Sequence, residues 1–257
     1  MKSWGLLMLT SKRIGRCQHV QQLDLREFKG RVFFVTDLHG CYDVLHDELR
    51  AVSFDSTRDI LVVGGDWTDR GAYSKHVLDY ITEPWVFSVA GNHCQMFVDG
   101  FDSHWHPNNR SVMCLAAHGG EWIDTLTNLE KILIADIFRS LPLAIELLLP
   151  NDVKVGVVHA EVPYNDWDKM VDISKLELDM DGKATLQWAR RWYTSKFNGK
   201  VKGVDYVLCG HTSTDSDGVE IYGNMVFCDG GTPWSGKMNL VEINNTLLEK
   251  VNGRSLY

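Results

Sequence analysis

Four short segments carry side chains that could hold a metal ion or move a proton: Asp37-Leu-His39-Gly40, Gly65-Asp66-Trp-Thr-Asp69-Arg70-Gly71, Gly91-Asn92-His93 and Gly210-His211-Thr212. Each follows a run of apolar residues, as does His159, which closes the run Val153 to Val158. Carboxylate and amide oxygens combined with imidazole nitrogens suit Mn, Fe, Zn or Mg rather than soft metals. A single Asp after a strand is commonly a helix cap, and a single His at a strand end is commonly structural or solvated. Their recurrence at successive strand ends is a different matter, because strand ends of a layered α/β fold face one crevice where ligands collect.

The elements that must position these residues are legible as well. Arg31 to Val35, Asp59 to Val63 and Trp85 to Val89 have the composition of buried strands. Between the first two, Val44, Leu45, Leu49 and Val52 repeat at helical spacing, and Val77, Leu78 and Ile81 do so after the second. The first part of the chain therefore reads as βαβαβ. Val153 to Val158 and Asp205 to Cys209 continue the strand pattern, and Met225 to Cys228 and Leu240 to Ile243 read as closing strands. Residues 101–136 are expected to be a mostly helical insertion, and residues 161–200 a polar, partly helical excursion over the site. With no repeat, low-complexity tract or linker, one continuous domain over 1–257 is expected, its motifs lying within 31–243.

Through these motifs and their order the chain resembles the calcineurin-like metallophosphoesterases. Within them it is most similar to the phosphoprotein phosphatases of lambda-phage and bacterial type, on Asp37-Leu-His-Gly-Cys-Tyr42, Gly91-Asn-His-Cys-Gln-Met96 and Gly119-Gly-Glu-Trp122. The resemblance implies a four-layer α-β-β-α sandwich with two mixed sheets. It implies two divalent cations, manganese above all, with Fe, Zn, Mg or Ni as alternatives. Asp37 and His39 would hold the first, Asp66 would bridge both, and Asn92, His159 and His211 would hold the second. Such a pair activates water for in-line attack on a phosphoryl group. His93 would be the general acid, oriented by Asp69. Arg70 would bind phosphate oxygens, joined by an arginine of Gln187-Trp-Ala-Arg-Arg-Trp192, with Arg190 preferred to Arg191. Phosphorylated proteins are the implied substrates, on serine and threonine, with phosphotyrosine accepted if the groove is shallow.

One position departs from the family, where Glu usually follows the Asn-His pair and this chain has Cys94. A buried, inert thiol is the preferred reading, with oxidation-sensitive activity as the alternative. Glu177 to Gly182 and Ser213 to Gly218 imitate calcium loops, but position twelve falls on Trp188 and Asn224 rather than on Glu, so both read as turns. The tryptophans of the less regular parts, Trp105, Trp122, Trp167, Trp188 and Trp192, go to core packing by default, with an aromatic wall around a phosphoamino-acid groove as the alternative.

Bulk properties agree with an ordinary soluble globular protein. The 257 residues are 44% hydrophobic, 23% charged and 11% aromatic. A formal charge of -8 argues against binding nucleic acid or an anionic membrane, both of which need a basic surface. The six cysteines form no C-x-x-C pair, and the apolar stretch Trp4 to Leu9 is too short for a signal-peptide core. A cytoplasmic location is the expectation. The oligomeric state has no signature. Two other readings compete. A symmetrical dinucleoside tetraphosphate hydrolase shares Asp-x-His-Gly and Gly-Asn-His, but Gly65 to Gly71 keeps the Asp that the phosphatase acid pair needs. A non-catalytic phosphoprotein-binding module would have little use for intact ligands, acid and arginine together.

Overall fold

The computed structural model describes residues 10–14, 19–172, 180–215 and 218–254. The stretch 4–9, Cys17 and parts of the two calcium-loop imitations, 177–179 and 216–217, lie outside them.

Strands β1 (Thr10–Ile14) and β2 (Val20–Asp24) pair antiparallel. The predicted βαβαβ unit forms as β3 (Val32–Val35), β4 (Ile60–Val63) and β5 (Val86–Ser88), parallel neighbours, with α1 (Tyr42–Ala51) as the first crossover. The second crossover is smaller than its apolar spacing suggests. It holds a 3-10 turn, Ser74–His76, and the single turn α2 (Leu78–Ile81). The residues before it are held in the Asp69–Gly71 turn, and Pro84 disfavours a helical residue at Glu83.

The helical insertion starts earlier and ends later than the expected 101–136: it comprises α3 (Asn92–Asp102), most of which precedes that range, α4 (Arg110–Ala117) and α5 (Asn128–Ser140). α5 starts in a capping box between Thr127 and Glu130. Two further strands follow, β6 (Ala144–Leu148) and β7 (Lys154–Val158), antiparallel to each other. The excursion after β7 is helical in its described part, with α6 (Trp167–Asp172), α7 (Met180–Trp188) and α8 (Arg191–Ser195). The chain then runs through β8 (Tyr206–Cys209), β9 (Glu220–Tyr222), β10 (Met225–Phe227), α9 (Thr232–Ser235), β11 (Val241–Glu242) and α10 (Asn245–Arg254).

The strands make two mixed sheets, one ordered β1-β2-β6-β7-β8-β10-β9 and the other β11-β3-β4-β5. Side-chain alternation decides how they stack. Phe34 and Val62 of the smaller sheet share one core with Ile145, Val157, Leu208 and Val226 of the larger. The next residues along each strand face outward into a second core. Phe33, Val35 and Leu61 meet Tyr42 and Leu45 of α1 there, while Val158, Val207 and Phe227 share it with Trp167, Leu186 and Trp192 of the excursion. The result is the expected α-β-β-α sandwich. β3, β4 and β5 run parallel in one sheet and β7, β8 and β10 in the other, so the C-terminal ends within each set point the same way. Every motif residue lies just beyond one of those ends.

Candidate metal centre

Asp66 stands at the middle of the site. The end of β4 is tied to the end of β3 by backbone bonds from Asp37 N to Gly65 O (3.2 Å) and from His39 N to Asp66 O (2.9 Å). Beyond β5, Gly91 sits so close that a Cβ there would strike the Asp66 carboxylate and lie 2.7 Å from its backbone nitrogen. Asp66 Oδ1 accepts the backbone N–H of His93 at 2.9 Å, which caps the buried N-terminus of α3 with a carboxylate. Its Oδ2 lies 3.3 Å from His159 Nε2 and 3.9 Å from His39 Nε2.

The remaining expected ligands surround it. Thr36 Oγ1 donates to Asp37 Oδ2 at 2.6 Å, and His211 N donates to the same oxygen at 2.9 Å. Asp37 Oδ1 lies 3.9 Å from His39 Nε2. His39 Nδ1 faces the carbonyl of Thr68 at 2.8 Å and must donate there, which leaves Nε2 with its lone pair towards the site. His159 Nδ1 likewise donates to Gly64 O at 2.8 Å, while its Nε2 faces Asn92 Oδ1 at 2.8 Å. Asp37, His39, Asp66, Asp69, Arg70 and His211 all have positive φ, from 44° to 77°. Backbone strain of this kind gathers where the surroundings over-determine a conformation.

The geometry fits two cations on independent grounds. Donor atoms of Asp66, His159 and His211 lie within 4.8 Å of one another, and so do those of His39, Asp66 and His93, of which His93 is expected as the acid and not as a ligand. Asp37, the expected partner of His39, is in neither group, its Oδ1 standing 3.9 Å from His39 Nε2. Asp66 belongs to both groups, as a bridging carboxylate must. His211 Nε2 is buried without a hydrogen-bond partner, a lone pair with nothing to serve. His159 Nε2 has two oxygens converging on it, so a positive centre belongs there. Burial opposes charge on that ring, but Asp66 and Asp37 outweigh it and raise its pKa to about 9. Burial with Asp229 nearby lifts Asp37 to about 7, whereas burial and His159 push His211 down to about 2.

Beside these donors stand His93 and Asp69, the expected acid and its partner. His93 Nδ1 donates to Asp69 Oδ2 at 2.5 Å, and Trp122 Nε1 donates to Asp69 Oδ1 at 2.6 Å. Burial raises the Asp69 carboxyl against those two bonds. Arg70 donates to Nε2 of both His39 and His93. Its guanidinium lies 4.7 Å from the ring of Trp234. Arg190 NH1 reaches Thr212 Oγ1 at 3.1 Å and lines the same cavity of about 160 Å³ as Asp37, Asp66 and His211. Arg191 points elsewhere, towards Glu161 at 3.9 Å, and is absent from that lining. Of the two neighbouring arginines, Arg190 is the one at the site.

The sequence pattern of the calcineurin-like phosphoesterases matches residues 30–215. The chain belongs to this family. Calcineurin-like phosphoesterases are enzymes that use a dinuclear metal centre, in keeping with the donors gathered on Asp66. The chain is 29% identical over 229 residues to serine/threonine-protein phosphatase 2 of Escherichia coli K12, a match covering 87% of this chain and 97% of the relative. The symmetrical bis(5'-nucleosyl)-tetraphosphatase of Hamiltonella defensa is 31% identical over 145 residues, covering 53% of this chain and 46% of that one. In fold the chain is similar to a cold-active protein tyrosine phosphatase, with a TM-score of 0.58 at 20% identity over 84% of this chain and 74% of the other.

Trp188 also lines the cavity and is 45% exposed, so the default of core packing does not hold for it. Asp229, Trp234 and His118, which sequence reasoning did not pick out, line it too. Asp229 had a usable signal, since it ends the run Met225 to Cys228 and precedes two glycines, the same device as at Asp66. Trp234 had none. Cys94 is buried, and burial together with Asp66 pushes its thiol up to about 12, so the inert reading holds. The described cysteines are free. Among the described residues no helix is long and apolar enough to cross a membrane.

Proposed function

We propose that this phosphoesterase is a metal-dependent protein phosphatase that removes phosphate from serine and threonine side chains by direct attack of water. The observation that carries this reading is the chain Trp122-Asp69-His93, which ends beside Arg70 at the cavity. A serine alkoxide is a poor leaving group, and its departure needs a proton donor held in place.

Asp37, His39, Asp66, Asn92, His159 and His211 would hold two cations. When bound, these supply a water nucleophile at neutral pH and neutralise phosphoryl charge. The chain's own side chains do the rest. Arg70 and Arg190 take the phosphoryl oxygens, Arg70 leaving its bonds to His39 and His93 as it does so. Withdrawal of Arg70 frees the Nε2 lone pair of His39. Once Arg70 has withdrawn, the freed Nε2 of His93 takes a proton from solvent, and the resulting imidazolium delivers it to the departing oxygen. Asp69, oriented by Trp122, holds the ring in position and stabilises it when charged. Manganese is the preferred metal, phosphorylated proteins the partners and the cytoplasm the setting.

The likeness to a symmetrical tetraphosphatase over about half of this chain supports a second reading, hydrolysis of dinucleoside tetraphosphates. A side-by-side assay with manganese decides. A phosphoserine peptide is expected to turn over far faster than diadenosine tetraphosphate. Faster cleavage of the nucleotide would overturn the first reading in favour of the second.

A further inference from the structure

A groove of about 770 Å³ opens from the catalytic cavity between α3, α4 and α7, and Met96, Cys114 and Trp188 line both. Trp188 is 45% exposed at the junction, its indole ring 6.1 Å from that of His211. Arg110, at the start of α4, and Lys183, in α7, line the groove and are exposed. Neither has a hydrogen-bond or ion-pair partner among the described residues. Asp99 also lines it, but its oxygens accept from Gln95 Nε2 at 2.8 Å and Ser111 Oγ at 2.9 Å. On a chain of net charge -8, two cations with no partner among the described residues form a local positive field beside the phosphate site.

We propose that this groove receives the polypeptide on one side of the phosphorylated residue, and that Arg110 and Lys183 select acidic side chains there. The proposal rests on the protein-phosphatase reading and names which phosphoproteins suit it. Exposed charges on two different helices act as rim charges, which steer and select an extended anionic partner. A polyphosphate clamp would need buried, converging donors. The indole of Trp188 offers an apolar face for the backbone and side chains beside the phosphate.

The test uses phosphoserine peptides of equal length, a pair with Asp or Asn at the flanking positions and a third with Lys there, and para-nitrophenyl phosphate as a substrate too small to reach the groove. Wild type is compared with Arg110→Ala/Lys183→Ala and Arg110→Glu/Lys183→Glu. Wild type is expected to prefer the Asp peptide about threefold to tenfold in kcat/KM, through KM, the range for two exposed ion pairs. The preference should shrink with salt, vanish in the alanine variant and reverse for a Lys-flanked peptide in the glutamate variant. Turnover of para-nitrophenyl phosphate should be the same in all three proteins. Equal use of the Asp and Asn peptides by wild type, or a preference that survives in the alanine variant, overturns the groove assignment alone. A rise in KM for diadenosine tetraphosphate in that variant, with peptide discrimination intact, gives the groove to a nucleotide and also overturns it. Turnover of para-nitrophenyl phosphate without turnover of any peptide overturns the underlying protein-phosphatase reading, and the proposal with it.

Discussion

Asp66 and His93 sit in one hydrogen-bonded unit, yet their chemistry separates cleanly. Asp66 reaches the metal donors with Oδ2 and caps α3 with Oδ1, so its loss should empty the site and loosen the helix that begins with Asn92 and His93. His93 touches Asp69 and Arg70 and can be removed without taking charge from the donors. Asp66→Asn and His93→Asn are each expected to lower turnover of a phosphoserine peptide by about a hundredfold or more. Metal analysis of the purified variants should find metal lost chiefly from Asp66→Asn. The leaving group gives a second readout, because para-nitrophenolate departs without a proton. His93→Asn should therefore lose much less activity on para-nitrophenyl phosphate than on the peptide. Undiminished peptide turnover in either variant would remove that residue from its role. The expected ligands were legible at this scale because each is a polar residue ending an apolar run. Asp69's second partner was not, since an indole donating a hydrogen bond has the same sequence appearance as one merely packed.

The insertion between β5 and β6 is more than a helical ornament on the sandwich. Its 3-10 segment Glu121–Thr125 brings Trp122 to Asp69, and Gly119 O accepts the backbone N–H of Arg70 at 3.1 Å. The acid pair is thus held from two sides, by the turn after β4 and by the insertion. Trp122 also stacks on Phe97 of α3, centroids 5.7 Å apart and planes 19° apart, a contact that phenylalanine can keep. Trp122→Phe removes the donor and preserves much of the packing. A hydrogen bond to a charged group is worth about 1.5–3 kcal/mol, so kcat on a phosphoserine peptide should fall about tenfold to a hundredfold with only a small change in Tm. Asp69 and Trp122 act through His93, so para-nitrophenyl phosphate should again be spared. An equal loss on both substrates would make Trp122 a general structural prop instead. Legibility at this scale followed burial. β3, β4, β5, β7 and β8 announce themselves as apolar runs that stop at Gly, Asp or His. β6 does not, because buried Glu146 interrupts its run and the apolar face of α5 ends just before it. Glu146 is tolerated there because Gln22 and Trp167 donate to it at 2.5 and 2.7 Å, partners that only the fold supplies. β1 and β2, which extend the larger sheet beyond β6, lie before the first motif and carry no such stop signal.

For the molecule as a whole, the site is where both sheets bring buried charge to one edge. Asp37, Asp66 and Asp229 are each at most 5% exposed, beside four buried histidines, an arrangement that folding alone does not favour. Cations bound to the folded chain and not to the unfolded one offset that cost by mass action. The gain is about 2.7 kcal/mol when free metal is a hundred times its Kd. At about 2–4 °C per kcal/mol for a chain of this size, manganese should raise Tm by about 5–10 °C over the chelated protein, and Asp66→Asn should abolish much of the gain. The pH dependence has a definite sign. With no metal, a proton on His159 bridges Asp66 and Asn92, and its pKa is raised from 6.5 to about 9. That contribution is fully present below pH 6.5 and is lost as pH rises towards 9. Metal must displace the same proton, so its apparent affinity should climb by about tenfold per pH unit over this window. Both effects act in one direction: between pH 6.5 and 8.5 the chelated protein should lose stability while the manganese-loaded protein gains relative to it. Thermal unfolding at pH 6.5, 7.5 and 8.5, with and without manganese, measures the gap directly. A gap that narrows as pH rises would mean that His159 does not exchange its proton for a metal ion, and that the second cation is held by other groups.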